Sequence, residues 1–126
     1  MHDSAIIYYK KVFEIDPKDP GALMGIGTYY FFSNKPDSSY IFFKKGLESG
    51  ANSCWDYMKM GEQLLNYNND VIEALRYFQK AYDTGEEEPP NLSLWYFYFT
   101  YLRIGDFQKA SRYLYKTFLF PRDNMR

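Results

Sequence analysis

Histidine and cysteine are almost missing from this chain: His2 and Cys54 are the only ones among its 126 residues. A single cysteine excludes an internal disulfide and fits a reducing compartment, so the cytoplasm is the expected location. One histidine and one cysteine cannot supply the ligand set that holds zinc within one chain. No nucleophile–base pattern stands beside either residue, and no metal, cofactor or catalytic residue is expected. Cys54 opens a helix, where a thiol pKa can fall, but with no histidine near it in sequence it reads as a structural residue. The chain also lacks any run approaching the ~20 apolar residues of a membrane helix, and no charged-then-apolar leader opens it. A dominant charge is missing too: the formal net charge is −1, which argues against nucleic acid or a polybasic membrane contact. The triplet "GIG" (25–27) is no dinucleotide loop, because no strand precedes it and Tyr30 occupies the third glycine position. The acidic "EEE" (86–88), followed by two prolines, reads as a solvated loop.

What the chain has instead is aromatic surface. Phe, Trp and Tyr make up 21% of it, with 14 Tyr and 11 Phe, and 46% of all residues are hydrophobic. That is enough apolar side chain for a core, in a length that suits about one domain.

The aromatics recur at a fixed interval. "AIIYYKKVFEIDP" (5–17), "SYIFFKKGLESGA" (39–51), "ALRYFQKAYDTGE" (74–86) and "ASRYLYKTFLFPR" (110–122) each open on a small residue: Ala5, Ser39, Ala74 and Ala110. The intervals between those residues are 34, 35 and 36. Four positions on stands a ring or leucine (Tyr9, Phe43, Phe78, Leu114), and three further on Val12, Gly46, Ala81 or Thr117. A second set, "LMGIGTYYF" (23–31), "YMKMGEQLL" (57–65) and "LWYFYFTYL" (94–102), lies between them. Joints such as Gly105-Asp106 separate the two sets: glycine ends a helix in the left-handed region, and aspartate caps the next. Pro36 with Asp37, and Asp70, are further helix starts. The spacing predicts helices near 4–15, 20–33, 37–49, 54–67, 71–84, 91–104 and 107–119. Gly27 and Gly61 fall mid-helix, where glycine costs roughly 1 kcal/mol against alanine. Such a glycine implies a close helix contact, with Ala or Ser making the same allowance from the partner helix. Tyr98 replaces that glycine in the last unit and argues against an equally close approach there.

These residues resemble the tetratricopeptide repeat family, a 34-residue helix–turn–helix unit with the pattern W-x2-L-G-x2-Y, A-x3-F, P. Pro17 stands at the closing proline; Ala51 and Glu86 replace it later, and Pro121 falls one residue early. Leu23, Tyr57 and Leu94 replace the tryptophan. The resemblance implies an all-α, right-handed superhelical solenoid of antiparallel helix–turn–helix repeats, about three and a half in number. The expected division is one domain over 1–126: a partial repeat at 4–19, repeats at 20–53, 54–90 and 91–122, and a tail at 123–126. The chain thus begins in mid-unit, and its apolar terminal helices lack capping partners. Two expectations follow: a fragment of a longer array, or a homo-oligomer that covers those ends.

By resemblance, the second side of each first helix lines a concave groove for a partner. Carried over by position, the groove offers Thr28, Phe31 and Phe32; then Trp55, Met58, Lys59, Glu62, Leu65 and Asn66; then Trp95, Tyr96, Phe99 and Arg103. Arrays also bury part of each first helix, so most of Trp55, Met58, Trp95 and Phe99 are expected to pack internally or against a missing neighbour helix. One subgroup clamps acidic chaperone C-termini with Lys, Asn and Arg. Here Met24, Gly25, Thr28, Leu92 and Tyr96 fall on those positions and only Lys59 suits, which favours an apolar helix or extended segment as ligand. The last helix carries Lys109, Arg112 and Lys116, read as a solvated face near a helix C-terminus. The implied function is a non-enzymatic protein-interaction or scaffold module. The alternative is a regulatory or oligomerisation segment of a larger multidomain protein.

Overall fold

Local capping chemistry sets the start of four helices before any packing is considered. The structure is a computed structural model that describes residues 2–86 and 92–119. It contains α1 (His2–Ile15), α2 (Pro20–Phe32), α3 (Pro36–Glu48), α4 (Cys54–Asn66), α5 (Val71–Thr84), α6 (Leu92–Arg103) and α7 (Phe107–Leu119). Every boundary within the described residues lies within two positions of the sequence expectation. The expected start at Asn91, the prolines 89 and 90, Pro121 and the tail at 123–126 lie outside the described residues. Asp19 accepts from the Ala22 amide at 2.9 Å with Pro20 in the first turn, and Asp70 accepts from the Glu73 amide. Ser53 and Asp56 form a reciprocal capping box at α4, which satisfies two otherwise orphaned amides. At the last joint Gly105 adopts φ +83, and Asp106 accepts from the Lys109 amide.

The chain forms two compact units, Met1–Asn52 and Ser53–Arg126. The division falls next to the repeat boundary expected at 53/54. In the first unit α2 packs on both α1 and α3, around Leu23, Ile26 and Phe43. In the second, α4, α5, α6 and α7 each pack on the next, around Met58, Phe78 and Phe97.

The mid-helix glycines mark close contacts, and the large residues four positions after Ser39 and Ala74 fill them. A Cβ on Gly27 would stand 2.6 Å from Cδ1 of Phe43, and one on Gly61 would stand 2.7 Å from Cδ1 of Phe78. Each glycine is a notch for the ring of the following helix. The small residues Ser39 and Ala74 are fully buried on the same helices. In the last pair, where Tyr98 and Leu114 replace glycine and phenylalanine, a different lock is used. Tyr113 stacks on Phe97, with centroids 4.8 Å apart, and on Tyr101 at 5.5 Å. A broad ring sandwich replaces the ring-in-notch contact, as expected when no glycine lets the helix axes draw together.

Candidate interaction face

In the first unit the expected face residues lie at the C-terminal half of α2. The Thr28 hydroxyl donates to the Met24 carbonyl oxygen at 2.8 Å, so its own helix satisfies it. Phe31 is half-buried and meets Phe32 edge-on; Phe32 is exposed.

In the second unit, α4 carries two neighbouring stripes at helical spacing. Cys54, Met58, Gly61 and Leu65 form one; Trp55, Lys59, Glu62 and Asn66 form the other. The first stripe is buried, with Met58 only 2% exposed. Met58 and Leu65 therefore belong to the core, which corrects their assignment to the face. The reason is visible in Gly61: its notch receives Phe78, so the residues in phase with it turn inward as well. The second stripe is open. Trp55 is 47% exposed and Phe99, on α6, is 53% exposed. Within this chain those two rings stay half-exposed, whereas Met58 is buried.

Polar contacts link α4 to α6. The Tyr96 hydroxyl donates to Oε1 of Glu62. Arg103 Nη1 donates to Oδ1 of Asn66 at 3.3 Å. The Tyr96 ring stacks on Phe78 with centroids 4.8 Å apart. Gly61, Phe78, Tyr96 and Glu62 thus form one connected chain from core to surface, and the notch positions the carboxylate. Beside it Trp95 stacks on Phe99 at 5.8 Å. Thr100 and Phe97 anchor the other side of α6 in the core.

The charges in this cluster feel the surrounding rings. Burial pushes the Glu62 carboxyl above its usual value, against the Tyr96 hydrogen bond and the Lys59 charge, which pull it down. Burial also lowers the Lys59 ammonium, against the attraction of Asp56 and Glu62. The Tyr96 phenol is raised well above its ordinary range by burial and by its bond to Glu62. A carboxyl with a raised folded-state pKa holds a proton that the unfolded chain has already released. Stability therefore falls as pH rises from the ordinary value of 4.5 through the raised one. Glu62→Gln keeps an acceptor for Tyr96 and removes the titration. Its urea midpoint is expected to exceed the parent's at neutral pH, and the gap should close on acidification below that ordinary value. A gap that stays constant across the range would contradict this assignment.

Sequence reasoning missed one periodic feature. Lys45, Lys80 and Lys116 stand six residues after Ser39, Ala74 and Ala110, with a ring three residues before each lysine. Their ammoniums lie over Phe42 at 5.9 Å, Tyr77 at 4.9 Å and Tyr113 at 5.1 Å. The spacing was readable in the sequence, since a lysine three residues after a ring on a helix reaches that ring. Among the described residues no group of acidic, histidine and cysteine side chains could hold a metal ion, and no helix is long and apolar enough to cross a membrane.

Comparison with known proteins agrees with this architecture. Residues 1–19 match the family model described as tetratricopeptide repeat. No curated protein sequence matches the chain. Among solved structures, MamA superposes with a TM-score of 0.74 at 23% identity, covering 92% of this chain and 66% of MamA. YrrB, described as a TPR protein with an unusual peptide-binding site, gives 0.72 at 21% identity, over 89% of this chain and 56% of its own. Pseudomonas aeruginosa PilF gives 0.70 at 16% identity, over 98% and 57%. The chain thus spans between 56% and 66% of the length of these three structures. With its ring-in-notch hairpins and these neighbours, the chain has the all-α fold of the tetratricopeptide-repeat solenoids, and its described helices fit about three and a half helix–turn–helix units.

Proposed function

We propose that the protein is a non-catalytic interaction module that takes a peptide or helix of a protein partner along the open stripes of its first helices. The repeat fold supports a protein-binding or scaffold role in general. The observation that carries the finer reading is the pair of half-exposed rings, Trp55 and Phe99, beside the polar cluster of Lys59, Glu62, Asn66 and Arg103. Large rings bordered by oriented polar groups are the composition of binding hot spots. Trp95, stacked on Phe99, stiffens that anchor, so little entropy is lost when a partner covers it. Phe31 and Phe32 form a separate apolar surface on α2 of the first unit. A lone buried Cys54 is compatible with the reducing cytoplasm, where we place the protein.

The test uses peptides selected on the 126-residue chain from a displayed library. Trp55→Ala combined with Phe99→Ala should weaken the selected peptides by about 2 kcal/mol or more, a typical hot-spot loss, while circular dichroism stays unchanged. Undiminished binding by the double variant would overturn the assignment. Self-association through the exposed Ile7 and Tyr8 of α1 is the second reading, and the mass in solution, measured by light scattering across a wide concentration range, separates the two.

A further inference from the structure

The first unit contains a cleft of about 500 Å³ whose lining shares no residue with the proposed function. Three segments build it: the C-terminal turn of α1 with the following loop, the start of α2, and the last turn of α3. Phe13, Pro17 and Leu23 supply apolar walls, and Lys18, Lys45, Glu48 and Ser49 supply the polar ones. Its volume falls in the range of small-molecule sites.

The charges at this cleft are unbalanced and available. Two ammoniums and one carboxylate leave a single formal positive charge. The ion pairs among the described residues, Arg76–Glu73 and Lys109–Asp106, lie elsewhere, and neither Lys18 nor Lys45 takes part in one. Lys45 is also held in place. Its ammonium lies over the Phe42 ring at 5.9 Å, and that ring meets Phe13 edge-on at 5.9 Å. One exposed lysine thus lies at the rim of the cleft, over the ring that meets the cleft wall. The cleft offers apolar wall and one net positive charge, while Glu48 disfavours a second negative charge on the ligand.

We propose that this cleft is a binding site for a small aromatic monocarboxylic acid, its ring against Phe13 and Pro17 and its carboxylate between Lys18 and Lys45. The ligand is amphipathic because the site is: burial of the ring supplies affinity, and the lysines select the anion.

The probe is 3-phenylpropionate, titrated into the isotopically labelled full chain and followed by amide chemical shifts. 3-Phenylpropan-1-ol serves as the uncharged comparison. Saturable shifts at Phe13, Leu23, Lys45 and Ser49 with the acid, and weaker binding of the alcohol, are expected. Lys18→Gln with Lys45→Gln should weaken the acid about tenfold, as the loss of two exposed charge contacts implies, and should leave the alcohol unchanged. Both lysines are exposed, so the double variant should keep its fold. Acid and alcohol binding equally, unchanged affinity in the double variant, or no shifts at these residues up to the solubility of the probe would each overturn the proposal.

Discussion

Gly61→Leu is expected to destabilise the chain by about 2 kcal/mol or more, although leucine is the better helix former by nearly 1 kcal/mol. The sign is decided by what the new side chain meets. A Cβ at this position would lie 2.7 and 2.9 Å from Cδ1 and Cζ of Phe78, closer than real Cβ contacts come. Phe78 is 0% exposed and is backed by the Tyr96 ring, so it has nowhere to move. The helices α4 and α5 must separate or one ring must leave the core. Urea midpoints of the single variants and of Gly61→Leu with Phe78→Leu form the check. In the double variant the smaller side chain should recover part of the loss, giving a coupling of about 1 kcal/mol. Additive losses would mean that the notch is not the cause.

Phe78→Ala should cost about 3–5 kcal/mol, the usual price of truncating a fully buried phenylalanine. The effect should extend beyond the cavity. Phe78 stacks on Tyr96 and meets Phe97 edge-on, so it joins α5 to α6 as well as filling the α4 notch. Removing it frees the Tyr96 ring that holds Glu62. The Tyr96 hydrogen bond pulls the Glu62 carboxyl down against burial, so its loss should raise that carboxyl further and steepen the pH dependence assigned to Glu62, an effect that a mere loss of volume elsewhere in the core would not produce. Phe43→Ala, at the equivalent notch of the first unit, should match the stability loss and leave the Glu62 titration intact.

Helix limits were legible because they depend on neighbours in sequence. Asp70, Gly105 and Asp106 act within their own turns, and Pro36 opens α3 by its fixed φ. The repeat was legible because small and large residues return in phase. The atoms that meet at each mid-helix glycine were not, because the approach of Phe43 to Gly27 and of Phe78 to Gly61 depends on ring placement across two helices. The last joint was read correctly as lacking the notch, but the stack of Phe97, Tyr113 and Tyr101 that replaces it depends on ring orientation, which no spacing rule supplies.

The sequence alone determined seven helices, their hairpin pairing and their repeat, since each rests on local caps and on a period shared along the chain. Tertiary structure alone decided which side of α4 is core. Its two stripes differ by one residue and both carry large apolar groups: Met58 and Leu65 on one, Trp55 on the other. Composition cannot choose between them. The insertion of Phe78 beside Gly61 does, because a ring that fills the notch fixes the rotation of α4 and leaves Trp55, Lys59, Glu62 and Asn66 on its open or partly covered stripe.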